Sequence, residues 1–316
     1  MTGSHPGLQP GVGAGKFPLR AGFQPGEDRS GSTKSPAYLP ASATPDVLTQ
    51  YFASATIIRN AAKMRPYILA ETNWKLVRDT HYEVAIQPWG ATEAHNYHLP
   101  YGTDVYETDA IAAESARLAW ERGARVIVLP TIPYGVNTGQ LDIKLDMNMR
   151  PSTQAVVLGD IVDTLSRAGV PKLVILNGHG GNDFKQMLRE LQADVPEVFM
   201  CSTNWYQVLN PKPHFDEPGD HAGEMETSIM MHLHPGLVMP LSEAGSGAAK
   251  KFAVSGLAEG WVSAQREWSR VTEDTGVGNP AAATPEKGER FLRDVCERLA
   301  GFFVELAGTS IDELYV

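Results

Sequence analysis

Short runs of apolar residues recur along the chain and predict buried strands. Four of these runs contain no polar residue and are too short for a buried helix, which is typical of strands covered on both faces. The runs are residues 84–86, 126–129, 173–176 and 198–200.

Longer stretches between and after these runs carry apolar or small side chains at helical spacing. Each set lies on one face of a helix, so that face can pack on the strands while the other faces solvent. The sets are Ile111, Ser115, Leu118 and Ala119, then Val157, Ile161 and Leu165, then Phe184, Met187, Leu188 and Leu191, and last Leu292, Val295, Leu299, Phe302, Phe303 and Leu306.

The alternation of strands and helices predicts an α/β fold, a single three-layer α/β/α domain with a mostly parallel sheet. In such sheets, ligands bind beyond the carboxyl ends of the strands. We therefore expect functional residues in the loops that follow Ile86, Leu129, Leu176 and Met200.

Two segments fall outside this alternation. Residues 1–45 contain 15 glycines and prolines and few apolar residues. This composition predicts a flexible leader, with an arm packed on a neighbouring subunit as the alternative. Residues 46–316 form the one predicted catalytic domain, within which residues 242–285, rich in Gly, Ala and Ser, predict no element.

Charge and cysteine content narrow the class of protein. The formal net charge is −10 and no segment clusters Lys and Arg, which argues against nucleic acid as a partner. No apolar run approaches the roughly 20 residues that cross a bilayer, so we expect no membrane partner. Cys201 and Cys296 are too few and too far apart for a disulfide framework, which favours a soluble protein of the reducing cytoplasm.

The loop after the first predicted strand contains Glu93 and His95, with Asp104 nine residues after the histidine. Carboxylate and imidazole ligands together suit Zn, Mn or Fe better than Ca or Mg. The alternative is a polar loop in which the glutamate and the histidine cap turns.

The loop after the third predicted strand places His179 among Gly178, Gly180 and Gly181, and Asn182 is expected to cap the helix that follows. Glycines let the backbone turn sharply and bring the histidine close to a bulky neighbour. The same glycines also suit a phosphate-binding turn at a helix start, so that alternative stays open.

The last cluster contains His221, Glu224 and Glu226 and runs into an apolar helix. At the positive end of a helix His221 is expected to be neutral, which suits a ligand or a proton shuttle, with a capping histidine as the alternative. Residues two apart on a helix point about 200° apart. Since Glu226 shares the apolar face, we assign it to a metal and expect solvent to satisfy Glu224.

The three clusters together resemble the motifs of the creatininase family, over roughly residues 71–237. Glu-x-His followed nine residues later by Asp is similar to residues 93–104, Gly-His-Gly-Gly-Asn to residues 178–182, and His-x-Gly-x-x-Glu-Thr-Ser to residues 221–228. All three occur in the order that the family shows.

The resemblance implies a metal-dependent amidohydrolase that cleaves a C–N bond of a small amide with two divalent ions, Zn, Mn or Fe, and a hydroxide between them. The implied ligands are Glu93 and His179 for one ion, His95 and a glutamate of the last cluster for the other, and Asp104 for both. Periodicity selects Glu226 as that glutamate, and Glu224 is the alternative if Gly223 lets it turn inward.

The implied catalytic residues are His221, Asp104 and Glu224. His221 is expected to protonate the leaving nitrogen because imidazole titrates near neutral pH, and Glu224 is the second candidate acid near the substrate. Members of the family are typically ring-like hexamers, which implies a homo-oligomer.

The chain departs from creatininase itself around the expected substrate. Gly180 and Gly181 stand where creatininase has a Tyr and a metal-binding Glu, and the segment after Tyr134 also differs. We therefore expect a cyclic or formyl amide other than creatinine. The candidate substrate contacts are Trp205, Asn137 and Gly180, with Trp89 as a further aromatic, although either tryptophan can instead be a core residue.

Two other functions fit the same residues. A dinuclear-metal phosphoesterase also uses paired ions, but the three motifs contain no Lys or Arg to hold a phosphate. A non-catalytic metal-containing binding protein with the same fold is the second. Against it, a structural zinc site normally has four protein ligands, whereas here five are spread over two ions.

Removal of residues 1–45 is expected to leave activity unchanged, because the segment has too little apolar surface to offset the entropy of ordering it. The measurement is the specific activity and the native mass of the truncated chain beside the full chain. A truncated chain that fails to assemble or loses activity would identify the segment as a structural arm.

Overall fold

The four predicted strands form one parallel sheet in the computed structural model, which describes residues 64–316. The strands are β1 (Val84–Trp89), β2 (Val126–Val128), β3 (Lys172–Asn177) and β4 (Phe199–Asn204). They lie in the order β2-β1-β3-β4, and every pairing is parallel. The predicted parallel sheet is confirmed, whereas the predicted leader and the first residues of the predicted domain lie outside the described residues.

Helices connect and follow the strands. They are α1 (Trp74–Asp79), α2 (Thr103–Glu121), α3 (Pro151–Ala168), α4 (Lys185–Asp194), α5 (Glu224–Leu233), α6 (Ser255–Ala258), α7 (Trp268–Val271) and α8 (Pro285–Gly308). Single turns of 3-10 helix occur at Leu69–Glu71, Thr138–Gln140, Trp205–Gln207, Pro235–Leu237, Leu241–Glu243 and Ile311–Glu313. The segment for which the sequence predicts no element thus contains only short helical turns.

Alternate side chains of the strands point to opposite faces of the sheet, and each face has its own apolar core. Ile86 and Val174 lie in one core, which α2, α5 and α8 cover. Ala85 and Ile175 lie in the other, which α3 and α4 cover. The arrangement confirms the three-layer α/β/α prediction.

The strand register brings the carboxyl ends of the three longest strands level with one another. Trp89 at the end of β1 is opposite Asn177 of β3, and Asn177 is opposite Asn204 of β4. The loops that leave these strands therefore start at one edge of the sheet, as parallel topology requires.

Asn182 does not cap α4, so that prediction is wrong. α4 begins at Lys185, and the side-chain oxygen of Asn182 accepts hydrogen bonds from the Val136 amide at 3.0 Å and from Gln154 Nε2 at 2.8 Å. This oxygen accepts from donors of two other segments, which would be costly to leave unpaired, and so it is not available to cap the helix.

None of the helices among residues 64–316 is long and apolar enough to span a bilayer.

The start of α8 packs directly on the backbone of α5. A side-chain carbon at Gly288 would lie 2.1 Å from the carbonyl oxygen of Ser228, so only glycine fits at this crossing. Thr284 caps α8 by accepting from the Lys287 amide at 3.3 Å, and its own amide donates to Ser228 Oγ at 3.2 Å. The position of α5 therefore depends on the start of α8.

Gly288→Ala is expected to lower the free energy of unfolding by about 1–3 kcal/mol, because overpacking forces the two helices apart. Gly301→Ala in the same helix is the control, since no atom lies within 4 Å of the added carbon. That change should stabilise the protein by up to about 1 kcal/mol through helix propensity. Chemical denaturation of both variants measures the difference, and equal effects would contradict the packing argument.

Candidate metal centre

The predicted ligands come together at the carboxyl edge of the sheet. The loop after β1 supplies Glu93 and His95, the first turn of α2 supplies Asp104, and the turn after β3 supplies His179. Glu226 comes from the first turn of α5. Three groups of these side chains, together with His221, have ligand atoms within 4.8 Å of one another, namely Glu93 with Asp104 and His179, His95 with Asp104 and Glu226, and Glu93 with His95 and His221.

Asp104 belongs to two of these groups and presents one oxygen to each. Its Oδ1 lies 3.0 Å from His95 Nε2, and its Oδ2 lies 3.1 Å from His179 Nδ1. His179 Nδ1 is also 2.8 Å from Glu93 Oε1. A carboxylate placed in this way can bridge two cations.

The three histidines are oriented by backbone carbonyls. His95 Nδ1 lies 3.0 Å from the Glu93 carbonyl oxygen. His179 Nε2 lies 3.1 Å from the Val136 carbonyl oxygen, and His221 Nε2 lies 2.8 Å from that of Ala94. We call these three atoms the outer ring nitrogens and the other nitrogen of each ring the inner one. A carbonyl only accepts, so each outer nitrogen carries the hydrogen, and in a neutral ring the inner nitrogen then presents a lone pair. These lone pairs face carboxylate oxygens, and two facing acceptors need a proton or a cation between them. The residues therefore fit a metal centre in which hydrogen bonds to backbone carbonyls fix the histidine tautomers.

The pKa values of the candidate ligands reflect the close approach of carboxylates and imidazoles. Burial opposes the charged form of His95, but Asp104 outweighs burial and raises the pKa of His95 to about 10. Burial likewise opposes charge on His179, yet Glu93 and Asp104 raise its pKa well above the usual value. Burial, only partly opposed by His95, raises the pKa of Glu226 to about 7. A cation would displace protons from these groups, since metal ligands bind in their deprotonated form.

His221 lies beside the ligands but not at a helix start, so that prediction is wrong. α5 begins at Glu224, and His221 instead pairs through its backbone with Val277. Its Nδ1 is 3.8 Å from Glu93 Oε1. Burial and the neighbouring His95 lower the pKa of His221, so the expected neutral imidazole has burial as its main cause rather than a helix dipole.

Glu224 is fully buried, so the prediction that solvent satisfies it is wrong. Its carboxylate accepts from Lys287 Nζ at 2.5 Å and from the Glu217 amide at 2.7 Å. It takes no part in the three groups of candidate ligands. The apolar pattern of α5 failed here because α8 covers the face that was expected to meet solvent and supplies Lys287.

Glu226 is partly buried, as expected for a carboxylate on the face of α5 that meets the core. One of its oxygens accepts from the Ala222 amide, and Ala222 has a positive φ of 50°. The next residue, Thr227, is tied to the loop after β1 because its hydroxyl lies 2.8 Å from His98 Nε2. These contacts hold the first turn of α5 against the ligands of that loop.

The glycines around His179 matter because they lack a side chain, not because their backbone angles are unusual. A side-chain carbon at Gly178 would lie 1.8 Å from Thr108 Oγ1, and one at Gly181 would lie 2.2 Å from the Val136 carbonyl. Gly180 is exposed, and its nearest neighbour would be Tyr206 Oη at 3.9 Å. Two of the three glycines thus let α2 and the loop around Val136 approach the histidine.

The other expected substrate contacts lie inside the protein. Trp205 and Trp89 are fully buried in the two cores, so a stacking role for either has no support from its position. Asn137 is also buried. Its backbone amide donates to Asn148 Oδ1 and its side-chain amide donates to the Met147 carbonyl, both in its own loop. Only Gly180 of the candidates has exposed surface.

The structure adds residues that the motifs did not identify. Gln140 donates a hydrogen bond to Glu93 Oε2. Trp268 meets the His221 ring edge-on at 5.3 Å, and Arg266 stacks on Trp268 and pairs with Asp220 at 2.8 Å. Arg266 and Trp268 come from the segment without predicted elements, where no periodicity or spacing gave a signal.

Comparison with known proteins agrees with this geometry. The family model described as creatinine amidohydrolase matches residues 70–303. A mycofactocin precursor peptide peptidase of Mycobacterium tuberculosis is 27% identical over 217 residues, covering 65% of this chain and 78% of that protein. A creatinine amidohydrolase of Pseudomonas putida is 28% identical over 176 residues, covering 49% of this chain and 66% of that protein.

Solved structures show the same fold. A putative creatinine amidohydrolase from Bacteroides fragilis is 45% identical, covers 80% of this chain and 100% of its own, and superposes with a TM-score of 0.75. A manganese form of creatininase is 22% identical, covers 78% of this chain and 100% of its own, and has a TM-score of 0.63. The family match spans most of the chain and includes every residue of the candidate metal centre, so this chain belongs to the creatininase family.

Proposed function

We propose that this protein is a metal-dependent amidohydrolase that opens a C–N bond of a small amide at a two-metal site. The observation that carries the proposal is the sharing of Asp104 between two ligand groups, with histidine lone pairs aimed at carboxylates in both. Such a set is unfavourable without cations and suits two of them. We propose Zn, Mn or Fe, because mixed imidazole and carboxylate ligands favour these ions.

Charge balance supports two ions rather than one. Glu93, Asp104 and Glu226 bring three negative charges, and no Lys or Arg among residues 64–316 bonds to any of them. Counting these three ligands alone, one divalent ion would leave a net charge of −1, whereas two would leave a net charge of +1. A site with that balance attracts an anionic oxygen.

Bound metal ions would supply Lewis acidity, polarising the amide carbonyl and activating water. The chain itself supplies a proton carrier. His221 is neutral, its Nε2 hydrogen is held by the Ala94 carbonyl, and its Nδ1 points into the site. We propose that Nδ1 of His221 takes up the proton that the attacking water loses and passes it to the leaving nitrogen.

The substrate wall supports an amide other than creatinine. Gly180 leaves an exposed, side-chain-free position beside Tyr206, and Gln140 reaches Glu93 from the neighbouring loop. We propose a cyclic or formyl amide as the substrate. A short peptide is the second candidate, because a relative that is 27% identical is named as a peptidase of a precursor peptide and the open position at Gly180 gives an extended chain room.

The phosphoesterase alternative has less support because the described site lacks a basic side chain that could hold a phosphate. Arg266, at the periphery, is paired with Asp220. We further propose a homo-oligomeric enzyme of the cytoplasm, in line with its free Cys201 and Cys296, whose thiol pKa values burial raises.

The experiment that tests the function combines elemental analysis with a substrate panel. The purified protein should contain about two transition-metal ions per chain and hydrolyse at least one of a lactam, a formyl amide or a short peptide. Chelation should abolish this turnover, and Zn or Mn should restore it. Turnover of a phosphate ester with no amide turnover would favour the phosphoesterase, and full metal content without any turnover would favour a binding protein.

Asp104→Asn is expected to abolish turnover and to lower metal content, because a bridging ligand needs negative charge on both oxygens and an amide lacks it. Apolar packing is unaffected, so the variant should still fold. Activity and metal content measure the effect, and near-normal rates would exclude the bridging role.

Glu226→Gln is expected to lose about half of the bound metal, whereas Glu224→Gln should keep all of it. Only Glu226 lies with His95 and Asp104, and Glu224 is paired with Lys287. The two variants carry the same chemical change on the same helix turn, so each controls for the other. Loss of metal from the Glu224 variant alone would reverse the assignment.

A further inference from the structure

Glu107 is a fully buried carboxylate that the motifs do not include. It lies on α2, one helical turn after Asp104, with no exposed surface. Neither of its oxygens has a hydrogen-bond partner among residues 64–316. Since the burial of a carboxylate without a partner is energetically costly, its presence calls for a physical reason.

A comparison with Glu224 makes the anomaly clear. Both glutamates are fully buried. Glu224 is compensated by Lys287 and the Glu217 amide, whereas the charges that act most strongly on Glu107 are the negative ones of Glu226 and Asp104. Burial and these two carboxylates raise the pKa of Glu107 well above its usual value. Neither a protein cation nor a hydrogen-bond donor offsets Glu107.

The neighbours of Glu107 indicate which part of the site it serves. Glu226 and Asp104 are, with His95, the group that could hold one of the two ions. Glu107 itself is not in any of the three ligand groups. One helical turn after Asp104 and outside the ligand groups, its carboxylate can influence this ion through the electric field and through the neighbouring ligands.

We propose that Glu107 is a positioning residue of the metal centre, a buried carboxylate that raises the affinity for the ion held by His95, Asp104 and Glu226. The inference rests on the two-metal site proposed above. In a low-dielectric interior a negative charge just beyond the ligands attracts a divalent cation strongly. It also increases the basicity of the ligands, as outer carboxylates do in other metal sites.

The proposal explains why the acid is retained at a costly position. In the metal-free protein, burial and the two neighbouring carboxylates disfavour the charged form of Glu107. A bound cation reverses this preference, because it attracts the negative charge that the neighbouring carboxylates repel. Glu107 thus couples folding stability to metal loading.

The test is a metal titration of Glu107→Gln against a competing chelator, using Zn and then Mn, with unfolding temperatures measured before and after loading. The first ion should bind as in the wild type, and the second should bind about 10- to 100-fold more weakly. The metal-free variant should unfold at the same or a higher temperature, and metal should stabilise it less than it stabilises the wild type.

Glu224→Gln is the matched control, because it removes the charge of a glutamate that is equally buried but paired with Lys287. It should lower the unfolding temperature with and without metal and leave both affinities unchanged. Glu107→Asp, which keeps the charge, should retain most of the affinity for the second ion. Glu107→Leu provides a second charge-free variant suited to a buried site if the Gln variant does not fold.

Wild-type affinity for both ions in a charge-free Glu107 variant would overturn the inference. Equal losses in the Asp and charge-free variants would do so as well, because side-chain size rather than charge would then matter. A wild-type protein that binds fewer than two ions would instead overturn the two-metal site itself. The two failures are therefore distinguishable.

Discussion

The structure around the site depends on the concentration of acceptor groups at one edge of the sheet. Glu93, Asp104 and Glu226 lie within ligand distance of histidine nitrogens, and the outer hydrogen of each histidine is already bonded to a backbone carbonyl. Carboxylates and lone pairs that face one another in a buried site repel unless positive charge separates them. The fold holds them together nevertheless, which is the usual way in which a protein prepares a cation site.

The parallel sheet makes this arrangement geometrically accessible. The ends of β1, β3 and β4 are level, so residues far apart in sequence meet within one loop length of the strands. Asn177, the last residue of β3, bonds the backbone of His179 through both ends of its amide and also accepts from Asn182 Nδ2 at 2.9 Å. Gly178 lets α2 approach this turn. The position of His179 is therefore fixed by the end of β3 and by the close approach of α2.

The sequence predicted the parallel sheet and three-layer fold because strand runs and helical periodicity are local signals. It also predicted which ligands would meet, since the motifs follow strand ends. It could not predict contacts that depend on a distant element. The burial of Glu224 depends on Lys287 at the start of α8, and the bonds of Asn182 depend on Val136 and Gln154. Glu107 was missed because a single glutamate on an amphipathic helix looks like a solvated residue.

The candidate ligands and the residues that surround them have different parts in the proposed chemistry. The candidate ligands lie in motifs that resemble those of the creatininase family, and the relatives of this chain include one named a creatinine amidohydrolase and one named a peptide peptidase. If the metal site supplies the reactivity, the substrate must be selected by the surrounding walls. Gln140 and Trp268 connect those walls to Glu93 and His221, so a change in a wall also reaches the groups that we propose to bind metal and to carry the proton. Substrate choice and catalytic geometry are for this reason physically coupled in this protein, and the wall segments cannot vary independently of the site that they enclose.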